Sequence, residues 1–296
     1  MLGRKGIGKN SLQVSGNLHE GIGMFEQRLH RSPLSSAVGI AELMYHVAVH
    51  SIRKSHRYAL ASIFINMLQV IIFVLSFYAM FEILGMRRNT LRGDFLLYIM
   101  SGVFLYMTHV KTIGAISGSD TATSAMMKHA PMNTAVSIGA AALSTLYIQT
   151  LSLILILFVY DVAFKPIEID QPVYAYGMLL MSWFSGIGIG LCFLAAKPWS
   201  PQVVSVLSQV YQRANMIASG KMFVANTLPA HMVAIFSWNP LFHEIDQARG
   251  FVFLNYTPRN TSLEYPLFLG IALIMIGLMG EFYTRRHASV SWNAKR

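Results

Sequence analysis

Residues 221–250 read KMFVANTLPAHMVAIFSWNPLFHEIDQARG, and the reading of the fold turns on how this stretch is punctuated. Between Lys221 and Glu244 it holds no Asp, Glu, Lys or Arg, so length and charge alone would make it a transmembrane helix. Pro229 and Pro240 argue against that. Each removes a backbone donor and disfavours helix in the residue before it, so breaks are expected at Leu228 and Asn239. The piece between them, Ala230 to Trp238, is about nine residues at ~1.5 Å each, far short of a hydrocarbon core of ~30 Å. Irregular backbone at membrane depth survives only inside protein or beside a wet cavity. Residues 222–240 are therefore expected to form a re-entrant segment that dips in, turns and returns.

Composition places this segment in a polytopic membrane protein. Of 296 residues, 54% are hydrophobic and 12% charged, with mean hydropathy +0.48, whereas soluble chains carry about 25% charged residues. The net charge of +10 sits in basic residues that flank apolar spans, which points to a membrane surface and to topology, not to nucleic acid. Cys192 stands alone and allows no internal disulfide.

The expected organisation is all-α. Residues 1–34 are polar and Gly-rich and read as a flexible cytoplasmic tail. Its Gly3 to Asn10 run falls short of a phosphate-binding loop, since Asn10 replaces the Mg²⁺-holding hydroxyl and no strand precedes it. Residues 35–57 place Ile40, Leu43, Met44 and Val47 on one helical face, the pattern of an interfacial amphipathic helix. His46 and His50 there, and His243-Glu244 later, lack the further ligands of a zinc site, so no metal is expected. Residues 58–286 form the membrane domain, with six expected spans at Ala59–Phe81, Phe95–Val110, Asn133–Tyr160, Gln171–Ala196, Pro198–Gly220 and Tyr265–Gly280. The tail 287–296 closes the chain. With both termini in the cytoplasm, inside segments hold fifteen basic residues and outside segments six, as the positive-inside rule requires.

Between the second and third spans, Ser117-Gly118-Ser119-Asp120 fits a capping box, and Pro131 would stop a helix begun there. The loop 113–131 is expected to carry a short helix parallel to the membrane. Gly186 and Gly190 fit the small-xxx-small spacing that lets helices approach. Arg213 costs at least ~2.5 kcal/mol inside a span, so it should face a partner or a watery route. Arg213 and Lys221, about two turns apart, are expected on one face of a helix. With Tyr211, Phe223, Phe236 and Trp238 they are the candidate substrate-pathway residues, a basic stripe suited to an anionic polymer or a lipid phosphate with aromatics that could stack on sugar rings.

Trp238-Asn239-Pro240-Leu241-Phe242-His243, followed by Ile245, Asp246 and Arg249, resembles the signature that stands near the last span in ABC-type polysaccharide and polyol-phosphate export permeases. Asp246 replaces the more frequent Glu, and this shorter carboxylate is expected to pair with Arg249. The architectural resemblance covers roughly Ser35 to Arg286. It implies a permease subunit that forms a homodimer and recruits a dimer of a separate ABC ATPase, which would bind ATP and Mg²⁺, so that this chain needs no cofactor and carries no catalytic residue. It also implies that the loop helix docks on that ATPase through Asp120, Thr123, Met126, Met127, Lys128 and His129. The implied cargo is a polysaccharide or glycolipid such as capsular polysaccharide or O-antigen, moved across a bacterial inner membrane among membrane lipids and handed to periplasmic and outer-membrane export proteins. The alternatives are a permease for a lipid or drug, a secondary transporter, and an integral-membrane acyl- or glycosyltransferase. The enzyme requires a carboxylate, His or Cys constellation of recognisable spacing, and the sequence offers none.

Overall fold

The computed structural model describes residues 33–55, 59–85, 93–119 and 134–287. Every regular element among them is helical: α1 Pro33–Ser55, α2 Ala59–Ile83, α3 Phe95–Ser117, α4 Thr134–Ala163, α5 Pro172–Ala196, α6 Pro201–Ala218, α7 Ala230–Phe236, α8 Pro240–Val252 and α9 Glu264–His287, with a single 3₁₀ turn at Ala225–Thr227. The chain divides into two units, Met1–Glu42 and Leu43–Arg296. The described part of the first is the opening of α1, which falls on the stretch expected as the amphipathic helix. Everything below concerns the second unit.

Among the described residues, five helices are long and apolar enough to cross a membrane: Ile63–Ile83 within α2, then α3, α4, α5 and α9. The all-α polytopic class is as expected. The remaining expected span, Pro198–Gly220, corresponds to α6, which has 18 residues, buries Val204, Ser208 and Asn215 and exposes Val203, Val206, Leu207 and Val210. Local chemistry explains several starts. Asp94 caps α3 by accepting from the Leu96 N–H at 2.9 Å, and Pro172, Pro201 and Pro240 stand in the first turns of α5, α6 and α8, where a missing N–H costs nothing.

At the centre lies α3, which runs seven residues past the expected Val110 and buries fifteen residues. Helix α5 packs on it through its glycines. A Cβ at Gly186 would stand 2.9 Å from the His109 carbonyl oxygen, and one at Gly190 would stand 2.8 Å from Ile116 Cβ. Gly188, on another side of α5, meets Leu273 of α9 in the same manner at 2.9 Å. The spacing read from the sequence thus serves close helix approach, where dispersion between backbones replaces a hydrophobic drive that lipid does not supply. Buried amides add cross-ties. Asn66 of α2 donates to Ser152 Oγ of α4 at 2.9 Å and accepts from Gln149 Nε2 at 3.1 Å.

The capping-box reading needs correction at its first residue. Ser117 is the last residue of α3, its carbonyl accepts from Lys197 Nζ at 2.9 Å, and Gly118 is the C-cap. Ser117 therefore ends a helix; it does not begin one. The expected coupling residues Asp120, Thr123, Met126, Met127, Lys128 and His129 lie outside the described residues, as does the Gly3 to Asn10 run.

Candidate functional site: the broken segment and its ties

The two proline breaks are where the sequence put them. Leu228 and Pro229 are extended, Asn239 is extended, and between them α7 is seven residues long. The first break of helix comes earlier than expected. Helix α6 stops at Ala218, and Gly220 adopts φ +76°, a left-handed conformation that a β-carbon would strain. Its missing side chain also leaves room for Phe242, whose ring would lie 2.8 Å from a Cβ there.

Helix α8 is the element that holds this segment together, and its signature residues each reach a different piece of chain. Asn239 caps α8 by accepting from Leu241 N at 3.2 Å, while its amide nitrogen donates to Asn215 Oδ1 at 2.8 Å and to the Ala218 carbonyl at 3.0 Å. The start of α8 is thereby fastened to the end of α6. His243 accepts at Nδ1 from the Ser262 N–H at 3.0 Å, so its Nε2 carries the proton and donates to the Ser237 carbonyl at 2.6 Å. Its ring also lies 4.9 Å from that of Tyr265. One imidazole thus links the α7–α8 corner to the start of α9.

Asp246 and Arg249 do not pair, contrary to expectation. Asp246 accepts from the Tyr256 hydroxyl at Oδ1 and from Thr261 Oγ1 at 2.8 Å at Oδ2. Burial and the neighbouring Asp246 carboxylate hold the Tyr256 hydroxyl above its ordinary pKa, so it remains a donor. Arg249 reaches the other way. Its guanidinium donates to the carbonyls of Gly220 at 2.8 Å, Phe223 at 2.7 Å and Lys221 at 2.7 Å, and it lies 4.2 Å from the centre of the Tyr98 ring. Three residues apart on one helix, the two side chains diverge, because the carboxylate has two hydroxyl donors in the 256–261 loop and the fork has three carbonyls in the turn after α6. Arg249 is fully buried.

The expected pathway residues fall into separate places. Arg213 is exposed on α6. Lys221 is beyond the helix end and 3% exposed, so the shared helical face does not exist. Its ammonium lies 3.4 Å from the centre of the Tyr106 ring and 5.2 Å from those of Phe73 and Phe77, which is a cation–π cage. Tyr211 pairs with His109 Nε2 at 3.1 Å. The Phe223 and Phe236 rings lie 5.3 Å apart, tilted at 31°, and both approach Phe242. Trp238 is 72% exposed.

A cluster that the sequence did not signal lies behind α8. Glu244, fully buried, stands beside the Ser182 and Ser185 hydroxyls of α5. His109 contacts Ser185 Oγ at 3.0 Å and the Ser182 carbonyl at 3.2 Å. These groups come from α3, α5 and α8, so no sequence spacing could reveal them. Among the described residues no three His, Cys, Asp or Glu side chains are grouped to hold a metal ion.

No family model matches the chain. Two Escherichia coli proteins, each described as polysialic acid transport protein KpsM, are similar to it. One is 24% identical over 201 residues, 67% of this chain and 76% of the relative. The other is 26% identical over 156 residues, 52% of this chain and 58% of the relative. They bear out the resemblance to ABC-type polysaccharide export permeases that the Trp238 to Arg249 signature carried.

Proposed function

We propose that this chain is the membrane-spanning permease subunit of an ATP-driven exporter, which passes an acidic, lipid-linked polysaccharide across a bacterial inner membrane. It acts as a homodimer with a separate ABC ATPase dimer, keeps both termini in the cytoplasm, and hands its cargo to periplasmic and outer-membrane partners. The observation that carries this reading is the fastening of α8. Asn239, His243, Asp246 and Arg249 tie the broken segment to α6, to the 220–223 turn and to the start of α9. Two relatives named as polysialic acid transport proteins support it.

On this reading α8 moves with α6 and α9 as one body, and the polymer passes along the exposed side of α6 and α7. Arg213 and Trp238 are open there, where a cation and an indole would meet acidic groups and sugar rings. Tyr211, Phe223 and Phe236 lie behind them, and Lys221 reaches the polymer only when the turn after α6 moves and its aromatic cage opens. ATP hydrolysis in the partner is transmitted through the segment that follows α3, with Asp120, Thr123, Met126, Met127, Lys128 and His129 as docking residues and flexible methionines as the apolar contacts.

Cysteines placed at Thr123 or Met127 in a Cys192→Ser background should crosslink to the ATPase, and Met126→Asp should stop export while the membrane dimer still assembles. Cysteines near Glu168 should not crosslink. If no ATPase co-purifies and Met126→Asp exports normally, the permease reading fails.

A further inference from the structure

Where the α4–α5 connection meets the bundle, two cavities adjoin. The first is a slot of about 220 Å³ between α3, α4 and α5, floored by Ala248 and Val252 of α8 and walled by residues such as Phe104, Leu153, Leu157 and Ala175. Ser101 and Tyr176 supply the hydroxyls in its wall, and both are engaged, Ser101 with the Tyr98 carbonyl at 2.8 Å and Tyr176 with Thr150 at 3.1 Å. Such a slot offers water too few polar partners to hold it. Ile154 at its edge is 57% exposed, and α4 and α5 are both apolar spans, so the slot opens sideways toward hydrocarbon.

The second cavity, about 590 Å³, shares Leu97, Ile169 and Val252 with the first and carries Asp94, Lys165, Glu168 and Asp170 on its walls. Its loop is held by backbone bonds. The N–H groups of Asp170 and Gln171 donate to the carbonyls of Val252 at 3.3 Å and Phe251 at 2.8 Å, and Ile167 N–H donates to Asp161 at 2.7 Å. Asp94 is already occupied, capping α3 with one oxygen and accepting from the Tyr160 hydroxyl with the other. Asp170 accepts from the Gln171 side-chain amide at one oxygen, at 3.2 Å, and keeps the other; with Lys165 and Glu168 it can meet a ligand, two carboxylates to one ammonium.

The geometry points to a binding site for one bilayer phospholipid with an amine-bearing zwitterionic headgroup. An acyl chain fills the slot, the phosphate lies against Lys165, and the headgroup ammonium lies against Glu168 and Asp170. The charge balance selects this class over an anionic lipid, whose headgroup would meet the same carboxylates without an amine to pair with them. The site is away from α6 and α7, so it stands whether or not the chain is an exporter.

The test uses full-length protein in nanodiscs that hold equal amounts of phosphatidylethanolamine and phosphatidylglycerol with matched chains, followed by native mass spectrometry. One phosphatidylethanolamine per chain should be retained, enriched about fivefold, the ratio that corresponds to a surface ion pair of about 1 kcal/mol. Ala175→Trp, which fills the slot, should lose it. Glu168→Lys combined with Asp170→Lys should keep a lipid but reverse the preference, and because both residues are exposed this variant carries the test even if Ala175→Trp does not accumulate. Absence of retained lipid, equal retention of both lipids, or an unchanged preference in the double variant would overturn the assignment.

Discussion

Replacing Arg249 by Met keeps much of the volume of the side chain and removes its fork. The three carbonyls of Gly220, Lys221 and Phe223 then lose their donors in a site where Arg249 itself is 1% exposed. A hydrogen bond to a charged group contributes about 1.5–3 kcal/mol, and the face of Tyr98 adds a cation–π term of about 1–2 kcal/mol when desolvated. Removing the arginine also relieves the cost of burying its charge, which returns several kcal/mol. A net loss of roughly 3–5 kcal/mol remains, and at about 2–4 °C per kcal/mol for a chain of this size the melting temperature should fall by about 10 °C. Thermal unfolding of purified protein in one detergent measures the fall, and a cysteine at Met222 should become more reactive in the variant as the turn loosens. Arg249→Lys should recover only part of the stability, because a compact ammonium lacks the planar fork that serves three separate carbonyls. A shift below about 3 °C for Arg249→Met, with Met222→Cys unchanged, would mean that the turn is held by its own backbone and that the α8 fastening has been overstated.

Asn239→Ala removes a helix cap and two ties to α6, and should cost about 1–2 kcal/mol in the same unfolding assay; no change would mean that Pro240 alone sets the start of α8. Gly186→Val drives a side chain into the His109 carbonyl and should abolish accumulation in the membrane, whereas Gly114→Ala, with nothing within 4 Å of its new Cβ, should accumulate normally. Lys221→Met should fold at least as well as the parent, since the ammonium gives up no hydrogen bond among the described residues, and should reduce export if the cage opens during transport; full export would remove Lys221 from the pathway. Arg213→Ala should lower export with dimer and abundance intact, and loss of the protein would instead make that arginine structural. A reporter after Arg296 should be cytoplasmic and reporters at Glu168 or Arg259 external, the reverse result overturning the assigned orientation.

What could be read from the sequence was what depends on one residue and its neighbours. Pro229 and Pro240 broke helix where expected because the constraint is steric and local, and Gly186 and Gly190 pointed to close packing because their spacing belongs to a single helix. The end of α6 was not legible. Nothing before Gly220 forbids another turn, and only the turn's closure around the Arg249 fork fixes Lys221 off the helix. The Asp246 to Arg249 pairing looked natural from their spacing, yet each side chain found partners in chain segments that lie next to α8 only after folding. The surroundings of Glu244 were not legible for the same reason, since its neighbours arrive from α5.

Helix α8 also constrains how the protein is made. It has thirteen residues and carries His243, Glu244, Asp246 and Arg249, too short to span and too polar for lipid, where a central Arg or Asp costs about 2.5–3.5 kcal/mol each. The insertion machinery therefore cannot release it sideways into the bilayer as it releases α2 or α4. Its donors Tyr256, Thr261 and the Ser262 N–H are synthesised after it, so α8 becomes comfortable only once the chain beyond it has emerged. Until then His243 and Asp246 lack these partners, while Asn239 and Arg249 can already bond to chain made before α8.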